Sequence, residues 1–271
     1  KLLKQYKCDV AYIPNFTLLL WKVTPTLVTI HDLIEFNVPD KFSKLRMFYR
    51  KYVCDPLMAK RSDHILTVSK SSYSDIVKYL GVNPSKITLT LNATDKRFFR
   101  KYPREEVDSV LSSYGLRYKE YLLFVGTIDY PGKNIKTVVD AFLNLRSRGQ
   151  LGGKKLVVVG KDGYNSDVIY DVVNRSQFRA DVVFTGYLRD GDLPKFYAGA
   201  SIMLYLSLFE GFGLPVLEAM SCGTPIVCPN TSCFPEIVEE LDVTVPPTDV
   251  SAVEQKILMI LNDKEYYDDL S

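Results

Sequence analysis

Residues 202–228 read IMLYLSLFEGFGLPVLEAMSCGTPIVC, and this stretch decides the fold of the C-terminal part of the chain. An apolar run ends, Gly211 and Gly213 permit a tight turn, and Pro215 stands where the first helical residue is expected. Gly223 then ends the helix, and a second apolar run follows. The order strand, turn, helix, strand predicts a helix N-terminus whose unpaired N–H groups face the carboxyl edge of a sheet, a suitable site for a diphosphate.

Two glutamates flank this predicted helix start. Glu210 precedes the turn, and Glu218 lies one helical turn inside the helix. Two carboxylates that both touched a phosphate would be repelled by it, so we expect them to accept hydrogen bonds from hydroxyl groups, such as those of a sugar and a ribose. The alternative is an ordinary exposed helix start with two solvated glutamates.

Short β-branched or aromatic runs alternate with helical patterns along the whole chain. The runs are Cys8–Ile13, Thr26–Ile30, Ile65–Val68, Ile87–Leu91, Tyr121–Val125, Lys155–Val159, Val182–Thr185, Ile202–Leu206, Pro225–Cys228 and Val243–Val245. This alternation predicts an α/β fold with doubly wound parallel sheets. Regularity is lost between Asn92 and Glu120, so we predict two domains, at 1–95 and 96–271.

Composition excludes several classes of protein. Among 271 residues, 34 Lys and Arg against 32 Asp and Glu give a net charge of +2, too balanced for a nucleic-acid-binding protein. Five cysteines without C-x-x-C spacing indicate neither a disulfide framework nor a zinc site, and favour the cytoplasm. No apolar run approaches the roughly 18 to 20 residues of a membrane span. The chain starts at Lys1 rather than Met, so we expect further sequence upstream.

The segment FEGFGLPVLEAMSCGTPIV at 209–227, with its Glu-x7-Glu pattern, closely resembles the signature of family 4 retaining glycosyltransferases. Similar segments follow in the family's order: TIHDL at 29–33, SDHILTVSKSSYSDI at 62–76, VGTIDYPGKNIKTVVDAF at 125–142, LVVVGKDG at 156–163, VVFTGYLRDGDLPKFYAGA at 182–200 and FPEIV at 234–238. The resemblance implies the GT-B fold, in which two Rossmann-like domains with parallel sheets face each other across a cleft. It assigns the acceptor to the N-terminal domain and a nucleotide-sugar donor to the C-terminal domain.

The resemblance also assigns roles to the residues of the signature. It implies that Glu210 contacts the hydroxyl groups of the donor sugar and that Glu218 contacts the ribose. The backbone of Gly211, Phe212, Gly213 and Leu214 would hold the diphosphate.

The resemblance also covers two further positions at which the family contacts the diphosphate. Lys133 matches a lysine that grips it, whereas Thr127 replaces the usual arginine and leaves one formal charge instead of two. The pattern Gly126-Thr127 to Lys133-Asn134 resembles a mannosyltransferase branch, which makes GDP-mannose the first expectation for the donor and a UDP-hexose the second. The alternative for Lys133 is a solvated lysine in a Pro-Gly turn.

His31 follows the strand Thr26–Ile30 directly, at an edge where open α/β sheets bind ligands. The resemblance implies that His31 lines the reaction centre, whereas a lone histidine is more often a packing or capping residue. Asp32 is expected to cap or orient the loop. We expect Gly186, Tyr187 and Leu188 to contact the nucleotide base.

Other known ligand-binding motifs do not match the sequence. Val216 replaces the third glycine of a dinucleotide fingerprint, and Asn134 stands where a phosphate-binding P-loop has Ser or Thr. Asp190-Gly191-Asp192 imitates a metal-binding Asp-x-Asp, but its position favours a helix cap. No metal or other cofactor is predicted.

From Lys41 to Arg61, an apolar helical face comprises Leu45, Phe48, Tyr49, Tyr52, Val53 and Leu57. This pattern is typical of a helix that packs on a sheet, which we favour; the alternative is a basic surface that contacts anionic lipid beside a lipid-linked acceptor.

These features predict a retaining hexosyltransferase that acts on a glycan or lipid-linked acceptor, located in the cytoplasm or peripherally at the inner face of the membrane. The resemblance implies same-face attack, with the leaving diphosphate taking the acceptor proton. The alternatives are a non-catalytic nucleotide-sugar-binding module and another enzyme of this fold, such as a sugar-nucleotide epimerase.

Overall fold

The computed structural model describes residues 5–15, 24–39, 41–189, 191–239 and 242–271. The chain divides into two compact units. The first comprises Lys1–Asn92 with Phe209–Phe212, and the second Ala93–Leu208 with Gly213–Ser271. The division falls within the stretch where the sequence loses its regularity. Phe209–Phe212 groups with the first unit, however, whereas the sequence assigned it to the second domain.

The first unit is built on a four-stranded parallel sheet in the order β1-β2-β3-β4. Its strands are β1 Ala11–Ile13, β2 Thr26–Thr29, β3 His64–Thr67 and β4 Ile87–Leu89. Its α-helices are α1 Ile34–Asn37, α2 Lys44–Tyr49, α3 Asp55–Arg61 and α4 Lys70–Leu80, with a π-helical turn at Arg50–Cys54 and a 3-10 turn at Pro84–Lys86. Val28, Ile65 and Ile87 stand side by side across the sheet and are buried in its core. A helix end predicted near Lys1–Lys7 falls partly outside the described residues.

Helix α4 begins and ends where the sequence predicts. The side chain of Ser69 accepts a hydrogen bond from the Ser72 N–H, which satisfies one donor of the first turn. Gly81 closes the helix in the left-handed region at φ +63°, a conformation that glycine adopts without steric cost.

The prediction that the apolar face of 41–61 packs on the sheet is wrong for its first half. Leu45, Phe48, Tyr49 and Tyr52 are exposed, and from Lys44 onward the first buried position is Cys54. The π-helical turn Arg50–Cys54 lies between these two regions. Its wider hydrogen-bonding pattern changes the phase of the helix, so a face extrapolated at 3.6 residues per turn does not stay on the core.

The second unit contains a six-stranded parallel sheet in the order β10-β9-β8-β5-β6-β7. Its strands are β5 Tyr121–Val125, β6 Lys155–Val159, β7 Val182–Gly186, β8 Ile202–Leu204, β9 Ile226–Pro229 and β10 Thr244–Val245. Counted from β5, this is the doubly wound order 6-5-4-1-2-3 of a Rossmann fold. β5 and β6 are almost entirely buried, as expected for central strands of a parallel sheet covered on both faces.

Helices connect these strands and cover the sheet. They are α5 Arg104–Ser112, α6 Ile135–Ser147, α7 Asp167–Asn174, α8 Leu193–Gly199, α9 Leu214–Ser221, α10 Phe234–Val238, α11 Val250–Asn262 and α12 Lys264–Asp269, with a 3-10 turn at Arg179–Asp181. All ten predicted strands are present, most of them shorter at one or both ends than the apolar runs. Within the described residues, no helix combines the length and apolarity that a membrane span requires.

Candidate functional site

The topological switch point of the second sheet lies between β5 and β8. The connections from these neighbouring strands lead to opposite sides of the sheet, which leaves a crevice at their carboxyl ends where ligands of open α/β sheets bind. Gly126 and Thr127 follow β5, and Tyr205 follows β8. The strand order therefore places these residues at the expected ligand-binding edge.

Lys133 lies in the loop that leads from β5 to α6. Its Nζ donates a hydrogen bond to Tyr205 Oη over 2.8 Å, and its backbone N–H donates to Asp129 Oδ1 over 2.7 Å. The side chain is half-buried. Its ammonium group is thus positioned beside the switch point rather than extended into solvent.

The backbone turns after β5 and β6 approach each other closely. Gly160, at φ +148°, follows β6, and a Cβ atom there would lie 1.9 Å from the carbonyl oxygen of Gly126. Only glycine fits this position. The Gly126 N–H in turn donates to the carbonyl oxygen of Val159 over 2.9 Å, which fixes the turn that carries Thr127.

A pocket of about 200 Å³ opens beside these turns and contains four of the predicted donor-binding residues. It is lined by Gly126, Thr127, Tyr187 and Leu188 together with Lys161. Gly186 ends β7 at φ +69° just before them. The structure thus brings the residues predicted to contact the base next to the strand-end turn, although their role stays a prediction.

Helix α9 begins at a glycine that no other residue could replace without strain. Gly213 is the N-cap at φ +79°, and a Cβ atom there would lie 2.8 Å from the ring of Phe234. Pro215 occupies the first turn and Leu214 is partly exposed. The predicted helix start is therefore confirmed as a local structure, with its first residues accessible.

Glu218 lies on α9 and is half-buried. Its Oε2 accepts a hydrogen bond from Tyr197 Oη over 2.7 Å. Burial raises the pKa of the Glu218 carboxyl, and the bond from Tyr197 opposes that shift. The phenol holds one oxygen of the carboxylate in a fixed position.

In the first unit, His31 stands directly after β2 and Ile30. Its Nε2 is 2.8 Å from the carbonyl oxygen of Pro14, and its own carbonyl oxygen accepts a hydrogen bond from Ser72 Oγ over 2.9 Å. Asp32 Oδ1 accepts the Ile34 N–H over 3.1 Å, so Asp32 orients the loop as predicted. Burial raises the pKa of the Asp32 carboxyl.

Glu210 and Gly211 approach the same loop. A Cβ atom at Gly211 would lie 2.2 Å from the His31 carbonyl oxygen, so the backbone contact requires glycine. Burial, and then the negative charges of Glu35 and Glu210, raise the pKa of the Asp32 carboxyl. Glu210 is half-buried, as is Phe212.

The helix cap predicted for the Asp-x-Asp sequence is confirmed in position at Asp192, but not in its hydrogen bonding. Asp192 occupies the N-cap position of α8 but makes no side-chain cap bond. Its Oδ2 instead accepts hydrogen bonds from Tyr114 Oη over 3.1 Å and Arg189 Nε over 2.9 Å. Asp190 lies outside the described residues, and the described part of the chain contains no group of three or more potential metal ligands.

Several residues that shape this region were not identified from the sequence. Tyr205 and Tyr197 hydrogen-bond to the charged groups of Lys133 and Glu218, and Asp129 accepts the backbone N–H of Lys133. Gly160 and Lys161 follow β6 as Gly126 and Thr127 follow β5. That shared position after neighbouring parallel strands was the signal that could have found the last two. The tyrosines gave no such signal, because each lies far in sequence from the group that it binds.

Two family profiles match the sequence. The profile described as Glycosyltransferase Family 4 matches residues 1–98, and that of Glycosyl transferases group 1 matches residues 114–271.

Curated relatives include mannosyltransferases. O-antigen chain mannosyltransferase B of Escherichia coli is 34% identical over 265 residues, which cover 97% of this chain and 68% of that protein. The serotype-specific mannosyltransferase WbdA of Escherichia coli is 27% identical, over 92% of this chain but only 30% of WbdA.

Solved structures share the fold. Sucrose-phosphate synthase from Thermosynechococcus elongatus superposes with a TM-score of 0.82 at 21% identity, over 99% of this chain and 68% of the other. Anabaena Alr3699/HepE, in complex with UDP and glucose, gives a TM-score of 0.77 at 18% identity, over 91% and 65% of the two chains. The two parallel-sheet units, the matched profiles and the 34% identical relative together show that this chain belongs to the family 4 glycosyltransferases of the GT-B fold.

Proposed function

We propose that the chain transfers a hexose, with mannose favoured, from a nucleoside diphosphate to a hydroxyl group of a glycan or lipid-linked acceptor. The anomeric configuration would be retained. The acceptor hydroxyl would attack on the same face that the diphosphate leaves, and the departing diphosphate would take the acceptor proton. His31, Glu210 and Lys133 are the proposed catalytic residues.

The observation that carries this proposal is the arrangement at the switch point of the second unit. Lys133 is held by Tyr205 there, and α9 presents its N-terminus in the same unit. An ammonium group and the positive end of a helix both stabilise the negative charge that builds up on a departing diphosphate. With only Thr127 at the arginine position, Lys133 carries the formal positive charge of the proposed grip.

Mannose is favoured because several relatives are named as mannosyltransferases, among them the 34% identical protein. GDP-mannose is therefore the first candidate donor. The Anabaena structure contains UDP and glucose, which keeps a UDP-hexose as the second.

Radiolabelled transfer assays test the proposal. The full chain is incubated with GDP-mannose or UDP-glucose, with and without a lipid-linked glycan acceptor, and sugar transfer and donor hydrolysis are measured. We expect turnover with GDP-mannose that persists in EDTA, because no metal is proposed. Binding of nucleotide without even slow hydrolysis would favour a non-catalytic module, and conversion of the donor without an acceptor would favour an epimerase.

Glu218→Gln is expected to raise the KM for the donor about tenfold, with a smaller effect on kcat. The proposed ribose contact is equally strong in the ground and transition states. Its loss therefore weakens donor binding more than it slows the chemical step. Steady-state kinetics with the donor varied would measure this. Exposed Glu265→Gln is the matched control, and an unchanged donor KM in Glu218→Gln would rule out the ribose contact.

We also propose that the protein contacts the membrane through α2 and the adjoining π-helical turn. Large apolar side chains are exposed there, with Leu45 80%, Phe48 58% and Tyr52 61% accessible. Between positions 41 and 54 the sequence has no acidic residue. Lys44 and Arg46 are exposed and Lys51 is half-buried, whereas Lys41 is buried and Arg50 pairs with Glu35. We call the exposed part of this segment, Lys44 to Tyr52, the basic aromatic surface.

An anionic bilayer matches this surface better than a second copy of the chain. Two such surfaces face to face would bring like charges together, whereas each basic residue near an anionic lipid surface contributes about 1 kcal/mol of attraction. Aromatic and aliphatic side chains can enter the interface between headgroups and acyl chains. A lipid-linked acceptor would be located at the same membrane.

Vesicle sedimentation tests this contact. Binding to phosphatidylglycerol vesicles is expected to fall at least about tenfold in the double variant Phe48→Ser/Tyr52→Ser, and to weaken with salt. Tyr164→Ser, which changes another exposed tyrosine, serves as the control. Undiminished binding by the double variant, or equal binding to phosphatidylcholine, would refute the proposed surface.

A further inference from the structure

A cluster of buried ionisable groups lies behind the His31–Asp32 loop in the first unit. Glu35 on α1 is 2% exposed, and Asp55 at the start of α3 is 0% exposed. Arg50 Nη2 approaches Glu35 Oε2 to 3.2 Å from the π-helical turn. None of these groups is among the proposed catalytic or donor-binding residues.

The carboxyl group of Asp55 lacks an ordinary partner. No hydrogen-bond donor among the described residues reaches either of its oxygens, and the group next to it is the carboxyl of Glu35. Two ionised carboxylates cannot hydrogen-bond to each other, since both are acceptors only. One proton between them turns the repulsive contact into an O–H···O hydrogen bond.

The surrounding charges determine which carboxyl holds that proton. Burial, followed by the adjacent Glu35, raises the pKa of Asp55 to about 9, and Asp32 adds to the shift while Arg50 opposes it. The Cys54 thiol, whose pKa is also raised by burial, adds no charge at neutral pH. A protonated Asp55 leaves the Glu35–Arg50 ion pair as the charged contact of this buried cluster.

This cluster is connected to the loop of the proposed reaction centre. Asp32 Oδ1 accepts the first N–H of α1, and Glu35 lies in the same short helix. The position of α1 therefore affects the orientation of the His31–Asp32 loop, which precedes the N-terminus of this helix. Arg50 and Asp55 hold α1 from the other side, through Glu35.

We propose that Asp55 and Glu35 share one proton at neutral pH, and that this pair, together with Arg50, positions the His31–Asp32 loop for sugar transfer. The three are positioning residues, because they act through the loop and not on the substrate. The site already contains its own cation, the Arg50 guanidinium. The kinetic part of this proposal rests on the proposed transferase function, whereas the shared proton does not.

Asp55→Asn mimics the protonated carboxyl, because its amide can donate to Glu35 at any pH. In wild type, kcat is expected to fall as the pH rises toward and beyond about 9, since ionised Asp55 repels Glu35. Asp55→Asn is expected to keep kcat within about twofold of wild type at pH 7, and its kcat should not show the decrease toward pH 9 that ionisation of Asp55 causes. Asp55→Ala is expected to lose at least about tenfold in kcat. Asp108→Asn, which changes a half-buried aspartate that pairs with Arg104 on α5, should retain the wild-type pH profile.

Urea unfolding between pH 5 and pH 9 tests the shared proton without reference to activity. The pKa of Asp55 is higher in the folded state than its unfolded value near 4, so the folded state binds an extra proton between these values. The stability from this group is complete below about pH 4 and is lost as the pH rises toward 9. The free energy of unfolding of Asp55→Asn should therefore fall less steeply with pH than that of wild type. The difference between the two slopes should correspond to the uptake of up to about one proton.

Either of two results would overturn the proposal. If Asp55→Asn follows the wild-type pH dependence of unfolding, the pair shares no proton. If Asp55→Asn is as inactive at pH 7 as Asp55→Ala, the neutral form does not position the loop. A lack of transfer in wild type as well would refute the transferase function and leave the unfolding test valid.

Discussion

Glu210→Ala is expected to abolish sugar transfer, with a loss in kcat of at least about 10³-fold, and to leave the fold intact. The proposed role of this carboxylate is to accept hydrogen bonds from the donor sugar, so its removal lets the reacting carbon move away from the acceptor. Glu210 is half-buried, and its charge helps to raise the pKa of Asp32. Removing the Glu210 carboxylate relieves its repulsion of Asp32, so we expect no loss of stability from the change in charge.

Radiolabelled transfer kinetics and circular dichroism together would measure this effect. Glu120→Ala is a suitable control, because Glu120 is an exposed glutamate just before β5, outside the proposed site. Transfer at the wild-type rate by a folded Glu210→Ala protein would remove this residue from the reaction centre.

Lys133→Ala is expected to lower kcat by about 10²- to 10³-fold. The proposed transition state places negative charge on the leaving diphosphate, and Thr127 supplies no second cation. The ammonium is already held by Tyr205 over 2.8 Å, so it needs little reorganisation when the charge develops.

The control for this variant is Lys136→Ala, three residues along the chain. Lys136 forms a half-buried i,i+4 ion pair with Asp140, and i,i+4 pairs on helices contribute only about 0.3 to 0.5 kcal/mol. Single-turnover rates with radiolabelled donor would separate chemistry from binding. If Lys133→Ala and Lys136→Ala react equally fast, the lysine does not stabilise the leaving group.

Local patterns predicted most of the fold. The runs Tyr121–Val125 and Lys155–Val159 match their strands end to end, because central parallel strands are apolar throughout. The start of α9 was predictable for a similar reason, since glycine and proline limit the backbone by themselves.

Features that depend on distant residues were not predictable. A π-helical turn changed the face of the segment 41–61, and nothing in its apolar spacing indicated that turn. Asp192 has a capping position but bonds Tyr114, 78 residues away. Asp55 looks like an ordinary acidic residue at a helix start, and only the structure shows that it is buried beside Glu35, where burial raises its pKa.

A crystal structure of the full chain with GDP bound tests the central claim most directly. The account predicts that the pyrophosphate lies against the backbone N–H groups at the start of α9, around Leu214, with Lys133 Nζ within about 4 Å of a phosphate oxygen. The base should enter the pocket lined by Thr127 and Tyr187. A pyrophosphate bound away from the start of α9, with Lys133 still directed only at Tyr205, would contradict the account.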